Sequence, residues 1–179
     1  MQNNWNHWRM EPADVKRRVI QAKVHLDFCT EVYMFQLSKG RHFLHEHPAT
    51  ATSWQDEEIL RLGSLPGVGS VVGHMCQYGM THKGKDGVER PVLKPTRWLS
   101  SRPALLARLE RKCPNGCNTR FGHKHTVLFG KEKTQAAAVY PPELCRQILL
   151  GIQDQLKREA AAMGPYLGNQ PEGRPRDST

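Results

Sequence analysis

The sequence predicts a single α/β domain with a mostly parallel sheet flanked by helices, and three observations carry that expectation. Short β-branched or aromatic runs alternate with amphipathic stretches of helical period, the pattern from which parallel sheets with crossover helices are built. At 179 residues the chain is long enough to bury one sizeable core and short for two. Its 38% hydrophobic share and mean hydropathy of -0.63 suit a folded body with polar ends rather than a wholly disordered chain. The organisation that follows is an irregular arm over 1–11, one α/β domain over 12–163 with a Cys/His-rich loop at 113–125, and a disordered tail over 164–179.

The arm holds Trp5 and Trp8 among Asn and His, with no period. From Pro12 onward Val15, Val19, Ala22, Leu26, Cys29 and Tyr33 recur at steps of four and three, which puts them on one stripe of a long helix ending near Gly40. The opposite face carries Lys16, Arg17 and Lys23 and reads as solvated. Phe43 and Leu44 then lead a short strand that ends in His45, Glu46 and His47 and is stopped by Pro48.

Ser53 with Asp56 resembles a capping box, opening a short helix that buries Ile59, Leu60 and Leu62. Pro66 and Gly67 turn the chain into a second strand over 70–75, which delivers Cys76, Gln77, Tyr78 and Gly79 at its end. Asp86 and Gly87 mark a hairpin tip. A third strand covers 94–99, where Pro95 favours an edge or a strand start. The spacing then predicts a helix over 103–112 with Leu105, Leu106 and Leu109 inward, an irregular stretch over 113–125, and a last strand over 126–129. Pro141 and Pro142 open a final helix whose stripe is Leu144, Cys145, Ile148, Leu149 and Ile152. No glycine-rich loop joins an opening strand to a helix, so no self-contained dinucleotide or phosphate cradle is expected.

Lys and Arg total 26 against 17 acids, a formal charge of +9, which makes nucleic acid the leading partner class, ahead of an acidic protein or an anionic membrane. No apolar run approaches the roughly 20 residues that span a bilayer, and the start lacks a secretory pattern. The expected location is intracellular, nucleus or cytoplasm. Five cysteines, an odd number without such a pattern, argue against a disulfide framework and for free thiols or metal ligands.

The sharpest metal candidate is Cys113, Cys117, His123 and His125, two thiols and two imidazoles close together among the turn-formers Pro114, Asn115, Gly116 and Gly122. Tetrahedral zinc takes this ligand set, and four protein ligands would make the site structural. His45 and His47 point the same way from one strand and suggest a metal-dependent hydrolase, with His74 or Cys76 as a third ligand. Glu46, a carboxylate between two imidazoles at a strand end, lies where ligands bind in open α/β sheets. Cys76 is placed as a nucleophile, although no partner to activate its thiolate is assignable. Cys29, on the apolar stripe, reads as core.

Taken together, Phe43, Leu44, His45, Glu46, His47 and Pro48, then Cys76 to Gly79, then Lys94, Pro95, Thr96 and Arg97, and finally the 136–145 segment around Val139, Tyr140, Pro141 and Pro142 resemble, in order over roughly residues 14–155, the C-terminal half of divergent DNA cytosine methyltransferase-like domains. Such domains occur in retrotransposon-type polyproteins of protists such as dinoflagellates. The resemblance implies a partial Rossmann-like methyltransferase half-domain in which Glu46 holds the target base, Arg97 orients base or phosphate, and the segment before Pro141 edges an S-adenosylmethionine pocket. The donor-binding glycine loop and the Pro-Cys nucleophile of that family are absent here. Independent methylation is therefore not expected, and S-adenosylmethionine would bind only if another chain completed the domain. The leading expectation is a nucleic-acid-associated domain with Glu46 and Arg97 at a base-binding crevice. The rivals are a zinc-stabilised interaction module or subunit of a larger assembly binding RNA or an acidic partner, and the hydrolase using His45 and His47.

Overall fold

The computed structural model describes residues 10–84, 86–114, 123–126 and 138–163. Cys117, the strand expected over 127–129, most of the arm and the tail lie outside the described residues. Within them the chain forms α1 (Pro12–Ser38), β1 (Leu44–Pro48), a 3-10 turn (Thr52–Gln55), α2 (Glu57–Gly63), β2 (Gly69–His74), a second 3-10 turn (Met75–Tyr78), β3 (Thr81–Lys83), β4 (Glu89–Pro91), β5 (Pro95–Ser100), α3 (Pro103–Leu109) and, at the end, α4 (Pro142–Met163).

The mostly parallel sheet is corrected to a short antiparallel one. The main sheet has the order β1-β5-β2, and β5 runs antiparallel to both neighbours. β1 and β2 are therefore parallel to each other and joined through α2, as the alternating pattern implied, but they do not touch. The later strand β5 lies in the gap, making a split βαβ unit. Pro95 stands at the start of this central strand, where a missing N–H is tolerated. The hairpin of β3 and β4 turns on Gly87 at φ 76, a conformation for which glycine carries no Cβ penalty.

Side chains alternate across β5 and serve two cores. Trp98, with Met75, Tyr78, Leu105, Leu106, Leu109 and Leu144, packs toward α3 and α4. Leu99, with Leu26, Trp54, Ile59 and Leu62, packs toward α1 and α2. Each large apolar side chain buried in this way stabilises the fold by about 1.5–3 kcal/mol. Helices α3 and α4 meet closely because Gly151 lies against Leu105; a Cβ at Gly151 would stand 2.8 Å from the Leu105 Cα.

Four local expectations are also corrected. The residue that caps α2 is Asp56, whose side chain accepts from the Glu58 N–H at 3.0 Å, not Ser53. Leu60 is exposed on that helix. On α4 the inward line is Leu144, Gln147 and Gly151, while Cys145, Leu149 and Ile152 face out. Gln147 is accommodated there by accepting from Arg108 at 3.2 Å and donating to Glu143 at 2.8 Å. On α1 only the C-terminal part of the expected stripe is covered: Leu26 is buried and Tyr33 half-buried, while Val19 is exposed.

Candidate metal centre

The C-terminal end of β2 gathers the densest ligand chemistry of the described residues. Strand β2 runs directly into the 3-10 turn carrying Cys76, closed by Gly79 in the left-handed region. The segment after α3 docks against the same strand end: the His74 N–H donates to Arg111 O at 2.8 Å, and the Cys113 N–H donates to His74 Nδ1 at 3.0 Å. Thr126 then pins the far side, forming a parallel bridge with Val92 and donating its N–H to Pro91 O at 2.9 Å. These backbone bonds bring Cys113 and His125 to the Cys76 turn.

The result is a four-residue group, Cys76, Cys113, His123 and His125, whose ligand atoms all lie within 4.8 Å of one another and which could hold a metal ion. Cys113 Sγ stands 3.7 Å from His123 Nε2 and 3.8 Å from His125 Nε2, and the two Nε2 atoms are 2.8 Å apart. Cys113 is 7% exposed, Cys76 and His125 are half-buried, and His123 is exposed. Burial, with the neighbouring Cys113, pushes the Cys76 thiol up to about 11. Burial also lowers His74, aided by the positive charges of His125 and Lys112. Of the ligands expected from sequence, Cys113, His123 and His125 come together and Cys117 lies outside the described residues; Cys76, expected as a nucleophile or a hydrolase ligand, joins the three. The signal that points to Cys76 is its position at a strand end, which sequence spacing alone cannot connect to the distant loop.

The other expected sites are arranged differently. Glu46 is opposite Trp98 in the register and Arg97 is opposite His47, so Glu46 and Arg97 point to opposite faces of the sheet. On one face Tyr140 lies beside Glu46, and burial together with that carboxylate holds the Tyr140 phenol above its ordinary value. On the other, the Arg97 guanidinium lies 5.1 Å from the Trp54 ring, a cation–π contact. The expectation of a shared groove is thus corrected, because side chains on opposite faces of a sheet cannot line one crevice.

His45 and His47 do share a face, their rings 5.4 Å apart, but among the described residues no third ligand joins them. His45 Nδ1 bonds the Tyr33 hydroxyl at 3.1 Å and His47 Nδ1 bonds the Ser53 hydroxyl at 2.5 Å. Both rings edge onto Trp54. Burial depresses both imidazoles, His45 to about 4, so both are mainly neutral at pH 7.

No family model, curated protein or solved structure matches this chain. Among the described residues no helix is long and apolar enough to cross a membrane.

Proposed function

We propose that the protein is a zinc-stabilised, non-catalytic module that binds nucleic acid through the basic surface around its metal centre. The observation that carries this reading is the convergence of Cys76, Cys113, His123 and His125 within 4.8 Å. Zinc takes two thiolates and two imidazoles tetrahedrally, with Zn–S near 2.3 Å and Zn–N near 2.0 Å, so the sulfur-to-nitrogen edges of such a site are about 3.5 Å long. The 3.7 and 3.8 Å edges from Cys113 are close to that length. Four protein ligands leave no position open for water or substrate, which favours a structural over a catalytic role. Two thiolates offset the ionic charge, and the surface beside them is basic: exposed Lys112 precedes Cys113, and exposed Lys124 separates the two histidines. With a formal +9 on the chain, a polyanion is the partner whose binding releases counterions.

Metal analysis of protein purified in the presence of zinc tests the first part, with one zinc per chain expected. Titrating a labelled single-stranded RNA oligonucleotide across a salt series tests the second. Affinity should fall steeply with salt, and Lys112→Ala and Lys124→Ala should each reduce the logarithmic salt slope by about one. Substoichiometric zinc would remove the structural reading; a slope untouched by both lysines would remove the interface.

A further inference from the structure

We propose that the outward face of α1 pairs antiparallel with α1 of a second copy of this chain, about a two-fold axis at Val24. The helix is 27 residues long, about 40 Å, yet its only buried residues are Leu26 and Thr30, joined at the domain surface by half-buried Tyr33, Met34 and Leu37. Those contacts occupy one side of its C-terminal half. On the far side Ile20, Val24, Phe28 and Phe35 are exposed, Val24 at 63% and Phe28 at 61%. A contiguous apolar face of this kind marks an interaction surface rather than scattered exposure.

The pattern along that face is complementary to its own reversal. Positions 13, 17, 20, 24, 28, 31 and 35 fall within an arc of about 80°, centred roughly 140° from the buried and half-buried residues that pack on the domain, so a second helix would approach from the side away from those contacts. In an isologous contact each residue i that meets j is matched by j meeting i. Turned about Val24, Val24 meets its own copy and Ile20 meets Phe28. One step further out Arg17 meets Glu31, opposite charges at the rim of the apolar centre. At the ends the large Phe35 meets the small Ala13. Asp14 holds the Arg17 guanidinium at 2.8 Å from the same helix, which presents it near the seam. A parallel pairing would instead set Arg17 against Arg17 and Glu31 against Glu31, and like charges in contact disfavour it.

Sedimentation equilibrium of the full chain tests the pairing. The expected result is a reversible dimer of twice 20.4 kDa, with a dissociation constant in roughly the micromolar range for a seam this narrow. Val24→Glu places two carboxylates on the axis and should leave monomer only. Arg17→Glu should weaken the dimer at least tenfold, as should Glu31→Arg, and the double variant Arg17→Glu/Glu31→Arg should restore it. These side chains are exposed, so far-UV circular dichroism should be unchanged in all four. A chain that stays monomeric at roughly 100 µM, well above that range, would overturn the proposal. So would a dimer indifferent to Val24→Glu, or a charge-swapped double no tighter than its single variants.

Discussion

Cys76 and Cys113 approach one point from separate elements: the first rides the turn that ends β2, the second follows α3, and their sulfurs lie within 4.8 Å. Burial and the second thiol both push Cys76 up to about 11, which is the cost of placing two potential anions side by side. A divalent cation reverses that cost, since it binds the thiolate forms and couples their deprotonation to folding.

Cys76→Ser and Cys113→Ser should each lower zinc affinity by more than the roughly 10–100-fold lost when an outer-shell partner is removed. Competition with a chromophoric chelator gives the constants. Cys117→Ser should keep one zinc per chain; a loss as large as that of Cys76→Ser would reassign the fourth ligand.

Acid should destabilise the protein through His45. This imidazole is 6% exposed and its folded value is about 4, depressed mainly by burial and then by His47. The unfolded chain takes up the proton near pH 6.5; stability is therefore full above pH 6.5 and is lost as pH falls from there to about 4. The loss attributable to this group reaches about 3 kcal/mol. Urea unfolding of His45→Phe beside the parent chain should show a parent-specific fall over that window and parallel curves above it.

Glu46 should be coupled to Tyr140 and not to Arg97. A double-mutant cycle of Glu46→Gln with Tyr140→Phe is expected to give an interaction energy of about 0.5–3 kcal/mol, whereas Glu46→Gln with Arg97→Ala should be additive within about 0.5 kcal/mol. Strong coupling across the second pair would mean that the two side chains meet.

Gly73→Ala should destabilise by about 1–3 kcal/mol, the usual range for forced overpacking. The added Cβ would stand 2.5 Å from the Leu109 carbonyl oxygen and 3.0 Å from the Tyr78 hydroxyl, and Tyr78 already donates to that carbonyl at 2.9 Å. Because the displaced backbone leads to Cys113, zinc affinity should fall along with the melting temperature.

The elements themselves were legible from period and punctuation: Pro12, Gly40, Gly87, Pro103 and Pro142 each mark a boundary or turn that the chain adopts. Strand direction was not legible. Alternation of strand and helix implies parallel neighbours, and nothing in the run 95–100 announces that it will lie between β1 and β2. The same insertion decides the site. Cys113, His123 and His125 are close in sequence and could be grouped by spacing, while Cys76 joins them only because the β2 end and the 111–113 backbone are hydrogen-bonded. Glu46 and Arg97 fail as a pair for a related reason: once β1 and β5 are adjacent, register alone assigns them to opposite faces.

Because β5 is central and is the last strand of the main sheet to be made, β1 and β2 have no partner until residue 100 has been synthesised. Nascent chains ending before Pro95 hold β1 and β2 unpaired and, of the sheets, only the β3–β4 hairpin, so assembly of the main sheet waits on distant pairings whose loop-closure entropy slows folding. During that interval the ribosome-bound chain is at its most aggregation-prone, and chaperone demand should peak with lengths just short of the closing strand.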